Sequence, residues 1–153
     1  MREVTIYTDG SCSGNPGPGG WAAVLICEGK HKELSAGFKR TTNNRMELLA
    51  VICALEALKE RCDVTVISDS KYVVDAMTKG WVEKWRKKNW TKKDGLKNPD
   101  LWERLYGVTQ TQDVTWEWVK GHAGNRWNER CDVLAVTAGQ GDDLPADTGY
   151  LGE

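Results

Sequence analysis

Two acidic residues, Asp9 and Asp69, each follow a short run of mostly β-branched residues. The runs are VTIYT at 4–8 and VTVIS at 64–68, and both are typical of buried strands. Ligands of open α/β sheets bind at the carboxyl ends of the strands. We therefore expect the two carboxylates to share one edge of a sheet. Simpler interpretations stay open, because an acid also serves as a turn former and, at Asp69, as a favourable charge at a helix N-terminus.

A third acid, Glu47, lies in a helix predicted from Arg45 to about Glu60, which the polar residues 41–44 open. Charged residues mark the solvent face of this helix near its end, and Glu47 lies about 180° away from Glu56 at ~100° per residue. Glu47 therefore points inward and needs a compensating partner. The alternative is a capping box in which Glu47 returns to the amide of Asn44.

Asp132 is the fourth acid of interest, at the edge of the apolar stripe of a helix predicted from about 126 to 138. A solvated acid is the simpler interpretation there. If the strands at 4–8 and 64–68 are neighbours, however, Asp9, Glu47, Asp69 and Asp132 can converge at one end of the sheet.

Such a group of carboxylates cannot stay ionised unaided. A pair 4 Å apart repels by roughly 1 kcal/mol in bulk water and ~4 kcal/mol at an effective dielectric constant of 20, so protons or a cation must enter. All-oxygen ligation favours Mg²⁺ or Mn²⁺ over zinc. Two such ions can serve an in-line phosphoryl displacement, which is nuclease chemistry.

The elements around these acids predict an α/β protein with a mixed sheet. Two strands at about 21–27 and 32–38, joined by a tight connection, continue the first strand as an antiparallel meander. The strand at 64–68 is parallel to the first if the intervening helix is a right-handed crossover. A helix at about 70–77, a helix near 99–107 and a strand at 114–119 follow. The glycine-rich loop after Asp9 lacks the Lys-Ser/Thr of a nucleotide-binding loop. Its glycines are expected to let the backbone turn sharply and to sit close to another group, for which a substrate is one candidate; they are Gly14, Gly17, Gly19 and Gly20.

The composition favours one domain spanning 1–153, with 40% hydrophobic residues and a net charge of −1. The five cysteines lack a C-x-x-C pair, and no signal sequence or membrane span is visible. We therefore expect a cytoplasmic protein without a membrane association. Residues 139–153, which we call the tail, are rich in Gly, Asp, Pro and Thr and are expected to be loosely held.

Positive charge is concentrated in one segment, residues 80–97, which we call the basic protrusion. It carries seven basic and two acidic residues, a charge of +5, so the remainder of the chain carries −6. A polyanion is held where such charge is concentrated. Its three tryptophans, Trp81, Trp85 and Trp90, either form a small local core or stack on nucleic acid.

Five motifs in this order resemble those of bacterial type I ribonuclease H: TDGS at 8–11, TNNRME at 42–47, SDS at 68–70, WVKGHAG at 118–124 and NERCD at 128–132. The resemblance covers almost the whole chain, including DTGY at 147–150. It implies a ribonuclease H-like fold, a five-stranded mixed sheet flanked by helices on both faces. It also implies a Mg²⁺-dependent endonuclease, with Mn²⁺ as an alternative ion, that hydrolyses the RNA strand of RNA–DNA hybrids. The expected products carry 5′-phosphates and 3′-hydroxyls, with little sequence specificity, and the expected enzyme is a monomer.

The resemblance also implies roles for individual residues. The four acids Asp9, Glu47, Asp69 and Asp132 match the metal-binding and catalytic carboxylates. His122, otherwise an ordinary surface histidine, matches a catalytic histidine in a mobile loop whose hinge would be Gly121 and Gly124. Thr42 matches a contact to a phosphate of the DNA strand. The other substrate contacts would be Gly10, Cys12, Asn15, Asn43 and Asn44 along the minor groove, together with Lys71 and, in the basic protrusion, Trp81, Lys84, Lys87 and Lys88.

Two departures from the family pattern bear on these roles. Lys71 stands where the family commonly has Gln, which could exchange a base-edge contact for a phosphate contact. Arg126 and Trp127 stand where smaller or acidic residues are common, so the packing of the His122 loop could differ. Two rival functions remain open, a recombinase or exonuclease of the same fold and a non-catalytic nucleic-acid-binding module.

Overall fold

The computed structural model describes residues 1–152, and its centre is a five-stranded mixed sheet in the order β3-β2-β1-β4-β5. The strands are β1 (Glu3–Cys12), β2 (Gly17–Cys27), β3 (Lys30–Thr41), β4 (Asp63–Ser68) and β5 (Asp113–Trp118). The helices in this part of the chain are α1 (Asn43–Glu56), α2 (Lys71–Thr78), α3 (Trp81–Lys87), α4 (Pro99–Thr109) and α5 (Arg126–Gly139). Strands β1 to β3 are antiparallel, whereas β4 is parallel to both β1 and β5. The predicted meander and the parallel crossover are thus confirmed.

The β2–β3 hairpin is longer than the sequence predicts. Its turn consists of Glu28 and Gly29, whose φ angles of 52° and 77° fit the tight turns that match strand twist. The hairpin extends the predicted strands at 21–27 and 32–38 to residues 17–20 and 39–41, although glycine is a poor strand former. A Cβ at Gly20 would lie 2.3 Å from the carbonyl oxygen of Ala135, and one at Gly37 would lie 2.1 Å from that of Ala138. These two glycines therefore let α5 pack closely on the sheet. The expected close approach is confirmed for Gly20, but it is made to the backbone of α5, and Gly20 lies in a strand rather than in a turn.

Helix α1 begins two residues earlier and ends four residues earlier than the predicted span of 45–60. Its N-cap is Thr42, whose side-chain oxygen accepts a hydrogen bond of 3.3 Å from the backbone N–H of Arg45. Asn44 already lies inside the helix, so the capping box that would have paired it with Glu47 is wrong. The side chain of Glu47 therefore does not cap the helix and points into the protein.

The core has two unequal parts, one on each face of the sheet. Helices α1 to α4 cover the larger part, which includes Met46, Leu48, Val66 and Trp102. Helix α5 covers the smaller part through Cys131 and Ala135, which pack on Ala22 and Val24 of β2. Helices therefore flank both faces, as the family resemblance implies.

The basic protrusion contains α3 and divides its tryptophans between packing and exposure. Trp85 lies 5.2 Å from Trp102 between ring centroids, and Trp90 lies 5.9 Å from Tyr106. Trp81 is 42% exposed. Trp85 and Trp90 thus pack against the larger core through α4 rather than forming a separate local core, whereas Trp81 is available to a ligand.

The tail makes specific contacts with the body of the protein. The backbone N–H of Lys39 donates to the carbonyl oxygen of Pro145 at 2.9 Å, and Arg45 forms an ion pair with Asp147 at 2.7 Å. The loose attachment expected from composition does not describe residues 145–147, and Glu153 lies outside the described residues. All five cysteines are free thiols. No helix within residues 1–152 has the length and apolar character needed to cross a membrane.

Candidate active site

Asp9 and Asp69 are brought together by the parallel pairing of β1 and β4. Thr8 pairs with Ser68 in this register, and each acid is the next residue along its strand direction. Strand β1 continues to Cys12 because it also pairs with β2, whereas β4 ends at Ser68. The two carboxylates therefore lie at the same edge of the sheet, as the sequence predicts.

Glu47 reaches this edge because α1 crosses β1 at unusually short range. A Cβ at Gly10 would lie 2.4 Å from the backbone nitrogen of Glu47, a separation that side chains do not tolerate. Only glycine permits this approach at position 10. The glycine after Asp9 thus places the second turn of the helix against the strand that carries Asp9.

The three acids Asp9, Glu47 and Asp69 form a compact cluster, with one carboxylate oxygen from each within 4.8 Å of the others. Asp9 and Glu47 are each 5% exposed, and Asp69 is half-buried. Asp9 Oδ1 accepts a hydrogen bond of 2.9 Å from the N–H of Gly10, whereas the buried Glu47 Oε1 has no hydrogen-bond partner. Buried carboxylate oxygens are seldom left unpaired. A hard divalent cation fits this all-oxygen donor set and would satisfy the unpaired oxygen.

The electrostatics of the cluster also favour a cation. Burial, followed by the charge of Asp69, raises the pKa of Asp9 to about 7. Burial, followed by the charges of Asp9 and Asp69, raises the pKa of Glu47 well above its usual range. Without a cation the cluster therefore holds protons close to neutral pH, and a bound cation would displace them.

Asp132 lies at the margin of the cluster. It is half-buried on α5, on the opposite face of the sheet from α1, and its charge adds a small upward effect on the pKa of Asp9 after those of burial and Asp69. It is near enough to act on Asp9 electrostatically but is not one of the three acids whose oxygens converge. The structure thus brings three of the four predicted acids into one site and places the fourth beside it.

His122 lies in the loop 119–125 between β5 and α5. The residue is exposed and has a left-handed backbone with φ of 57°. Gly124 is also left-handed, with φ of 84°, which suits a hinge. Gly121 has a different reason to be glycine, because a Cβ there would lie 2.8 Å from Asp69 Oδ2. The loop therefore runs directly past the carboxylate cluster, with His122 one residue beyond the point of contact.

Trp118 is a residue near the site whose role was not predicted. It pairs with Ser68 at the end of β5 and is 41% exposed. Lys71 Nζ lies 4.7 Å from the centroid of its indole ring, a cation–π distance. The sequence feature that could have indicated Trp118 is its position, because alternation along β5 and the WVKGHAG motif place it beside the end of β4. The structure thus links Lys71, one of the two departures from the family pattern, to a side chain beside Asp69.

The predicted minor-groove residues gather around the start of α1. The side-chain oxygen of Asn15 accepts a hydrogen bond of 3.0 Å from the N–H of Asn43, and the thiol of Cys12 contacts the carbonyl oxygen of Thr41 at 3.3 Å. A cavity of about 230 Å³ opens here. It is lined by Asn15, Pro16, Thr42, Asn44, Lys97, Asn98 and Tyr150.

The basic protrusion presents its lysines to solvent. Lys84, Lys87 and Lys88 are exposed, whereas Arg86 forms an ion pair with Glu83. A second cavity, of about 360 Å³, combines aromatic rings with cationic groups. It is lined by Tyr72, Trp81, Lys84, Trp85 and Lys92.

Comparison with known proteins gives consistent matches over most of the chain. The family model described as RNase H matches residues 1–140. The ribonuclease H of Desulforamulus reducens is 57% identical over 149 residues, which cover 96% of this chain and 94% of that protein. The crystal structure of LC9-RNase H1, a type 1 RNase H, is similar with a TM-score of 0.83 and 36% identity over 91% of this chain and 72% of that one. LC11-RNase H1, solved in complex with an RNA/DNA hybrid, has a TM-score of 0.68 and 27% identity over 88% of this chain and 95% of that one.

Proposed function

The chain belongs to the RNase H family, and we propose that it hydrolyses the RNA strand of RNA–DNA hybrids at the cluster formed by Asp9, Glu47 and Asp69. The protein is a hydrolase of the ribonuclease H class. The observation that carries the assignment of the site is the convergence of three carboxylates around the unpaired, buried Glu47 Oε1. Asp132 would complete the set of acids from α5.

A divalent cation held by these carboxylates would neutralise developing charge on the phosphoryl group and favour ionisation of the attacking water. We propose Mg²⁺, with Mn²⁺ as an alternative, because both prefer oxygen ligands. The N–H of Gly10 orients Asp9 through its hydrogen bond to Oδ1. Burial of Asp9 and Glu47 keeps bulk water away from one side of the site.

His122 would move a proton during the reaction. An imidazole can accept a proton from the attacking water or deliver one to the departing 3′-oxygen. In the overall reaction a bond forms between the water oxygen and phosphorus while the bond from phosphorus to the 3′-oxygen breaks. This leaves a 5′-phosphate and a 3′-hydroxyl.

The hybrid would be recognised mainly through its backbone and sugars. The 2′-hydroxyl that distinguishes RNA from DNA is displayed in the minor groove, where short amides and backbone groups can reach it. Gly10, Cys12, Asn15, Asn43 and Asn44 would supply these contacts. Thr42, at the N-terminus of a 14-residue helix, is suited to a phosphate of the DNA strand. Contacts of this kind carry little sequence information, which supports cleavage with little sequence specificity.

Lys71 and the basic protrusion would extend this surface. Lys71 would contact a phosphate rather than a base edge. Its Nζ lies over the ring of Trp118, whose indole N–H donates to the backbone of Asp69. Trp81, Lys84, Lys87 and Lys88 offer exposed cationic and aromatic groups for the hybrid backbone.

We further propose that the protein is a monomer and acts in the cytoplasm. The carboxylate cluster is complete within one chain, which supports a monomeric enzyme. Five free thiols support a reducing compartment.

A cleavage assay with matched RNA–DNA, RNA–RNA and DNA–DNA duplexes tests the proposal. We expect cleavage of the RNA strand in the hybrid alone, with Mg²⁺ or Mn²⁺ and not in excess chelator. Asp9→Asn should abolish cleavage but retain hybrid binding. Equal cleavage of the DNA duplex would indicate the recombinase or exonuclease alternative, and binding without any cleavage would indicate a non-catalytic module.

A further inference from the structure

The guanidinium of Arg45 is a buried charge that joins three parts of the chain. Its side chain is only 2% exposed, in the first turn of α1. It donates to both oxygens of Asp100 on α4, at 2.9 and 2.8 Å, and to both oxygens of Asp147 in the tail, at 2.7 and 3.1 Å. A buried guanidinium requires such paired acceptors. The tail therefore supplies one of two carboxylates that satisfy Arg45.

Asp147 is itself buried by these contacts. Its side chain is 6% exposed, and Oδ2 also accepts a hydrogen bond of 2.7 Å from the hydroxyl of Thr41 at the end of β3. The tail backbone continues directly across the ion cluster, because a Cβ at Gly149 would lie 2.2 Å from Asp100 Oδ2 and 2.6 Å from Arg45 Nη2. The tail is thus fitted to the ion cluster over several residues.

Thr41 and Arg45, which both donate hydrogen bonds to Asp147, flank the predicted hybrid contacts in the chain. Thr41 precedes Thr42 in the chain, and the N–H of Arg45 donates to the side chain of Thr42 at 3.3 Å. Asn43 and Asn44 lie between these anchors. The cavity at the start of α1 includes Tyr150 from the tail beside Thr42 and Asn44. These tail contacts therefore reach the segment that carries the predicted hybrid contacts, and none of them is made with Asp9, Glu47 or Asp69.

We propose that Asp147 is a positioning residue that acts through Arg45 and Thr41 to hold Thr42, Asn43 and Asn44 in the conformation that binds the hybrid. The proposal rests on the proposed function and adds to it a role for the tail in substrate affinity. Asp147 does not touch the reacting atoms. Its loss affects binding of the ground state, whereas the three-carboxylate cluster continues to act on hybrid that is bound.

The central test compares Asp147→Asn with Asp142→Asn. Both variants remove one negative charge from the tail, but Asp142 is exposed and Asp147 is buried. The dissociation constant for a short RNA–DNA hybrid is measured in excess chelator, where the hybrid remains uncut, and kcat and KM are measured with Mg²⁺. We expect Asp147→Asn to raise Kd and KM by roughly 5- to 150-fold, the range typical of coupling between sites, with kcat nearly unchanged. Asp142→Asn should match the wild type.

Two further variants separate positioning from a general loss of stability. Asp147→Glu restores the carboxylate and should bring Kd back toward the wild-type value. Thr41→Val removes only the hydroxyl that donates to Asp147. It should therefore also raise Kd, but by less than Asp147→Asn does. If Asp147→Asn unfolds below the assay temperature, the Kd of Thr41→Val tests the proposal instead.

The outcomes distinguish this proposal from the proposed function. If wild-type protein neither binds nor cuts the hybrid, the proposed function fails, and the role of Asp147 fails with it. If the wild type cuts the hybrid but folded Asp147→Asn and Thr41→Val bind it as tightly as Asp142→Asn, the positioning role alone is overturned. A fall in kcat at unchanged KM would also overturn the positioning role, because Asp147 would then act on the catalytic step rather than on hybrid binding.

Discussion

The indole N–H of Trp118 donates a hydrogen bond of 3.0 Å to the backbone carbonyl oxygen of Asp69. Asp69 follows the last residue of β4, where no further strand pairing fixes its backbone. Gly121 packs against its carboxylate from the neighbouring loop. Asp69 is the half-buried acid of the cluster. Trp118 thus restrains its backbone, and Gly121 restrains its carboxylate.

Trp118→Phe should weaken binding of divalent ions to the cluster. The substitution keeps an aromatic ring but removes the donor that fixes the Asp69 backbone. Loss of an outer partner of a metal ligand typically lowers affinity by roughly 10- to 100-fold, and we expect the lower end because the bond is to the backbone. Titration calorimetry with Mg²⁺ and Mn²⁺ measures the effect.

The matched control for this substitution is Trp81→Phe. Trp81 is exposed to a similar degree, 42% against 41% for Trp118, but lies in α3. Equal ion affinity in the two variants would show that the hydrogen bond from Trp118 does not support the site.

The positions of Asp9 and Asp69 could be predicted because they depend on local pattern. Two short β-branched runs, a helix between them and the handedness of the crossover are enough to place both acids at one edge. The inward direction of Glu47 follows from helical periodicity in the same way.

Other features could not be predicted because they depend on contacts between distant parts of the chain. Arg45 and Asp147 are separated by 102 positions, and composition alone makes the tail look weakly attached. The sequence assigns Gly20 to a loop, and only the packing of α5 against Gly20 and Gly37 shows why both positions are glycine. The distinction between Asp132 and the three convergent acids likewise requires the relative positions of α1 and α5.

The metal-free protein should become less stable as pH rises from about 4 to 7. The pKa of Asp9 is raised to about 7, first by burial and then by the charge of Asp69, and the pKa of Glu47 is raised for similar reasons. In the unfolded chain an Asp titrates near 3.9, so over this range the folded state binds more protons than the unfolded state. Stability contributed by these protons is complete below pH ~4 and is lost as pH rises toward the folded pKa values. Urea unfolding in excess chelator across this pH range measures the slope, and rising stability with pH would contradict the proposed proton binding.

Asp9→Asn should stabilise the metal-free protein while abolishing cleavage. The substitution removes a charge that Asp69 and Glu47 repel, and pair repulsion at ~4 Å is on the order of 1–4 kcal/mol between the limits of water and a partly buried site. The gain should be greatest above pH 7, where wild-type Asp9 is ionised, and each kcal/mol raises the melting temperature by roughly 2–4 °C. Thermal melts in chelator measure it.

Saturating Mg²⁺ provides the internal control for Asp9→Asn. The ion stabilises the folded wild type by mass action, so the advantage of the variant should vanish or reverse. Asp142→Asn, an equal change in net charge at an exposed site, should show neither effect. A lower melting temperature for metal-free Asp9→Asn than for wild type at pH 8 would count against repulsion within the cluster.

His122→Ala should lower kcat and leave KM nearly unchanged. The imidazole lies in a loop that contacts Asp69 through Gly121, so it is placed to act on a proton of the reaction rather than on hybrid binding. Help from a general acid or base is typically worth ~10²- to 10⁴-fold in rate. Steady-state cleavage of the hybrid measures kcat and KM, with His31→Ala as the control at the chain's other histidine. A loss in kcat below about threefold would assign His122 no part in proton transfer.

Neutralising Lys84, Lys87 and Lys88 to Gln should weaken hybrid binding in a salt-dependent way. These side chains are exposed on the basic protrusion, whose charge of +5 contrasts with −6 on the rest of the chain. Arg86 is left intact because its charge is already paired with Glu83. Each phosphate contact contributes about −0.9 to the slope of log affinity against log salt for duplex DNA, so losing two or three contacts should flatten the slope by roughly two to three units. KM should rise while kcat at saturating hybrid changes little.

The control for the basic protrusion is a second triple variant, in which Lys30, Lys32 and Lys59 become Gln. These lysines are also exposed, and their substitution removes the same charge. They lie elsewhere, however, in a cavity lined by Val4 and Cys62 at the end of the sheet where β1 and β4 begin. If net charge alone governed binding, the two triple variants would flatten the salt slope equally, because long-range attraction depends on total charge. If local contacts govern it, only the variant in the protrusion changes the slope. Hybrid affinity measured at several salt concentrations for both variants decides between these explanations, and an unchanged slope for Lys84, Lys87 and Lys88 would exclude the protrusion from the binding surface.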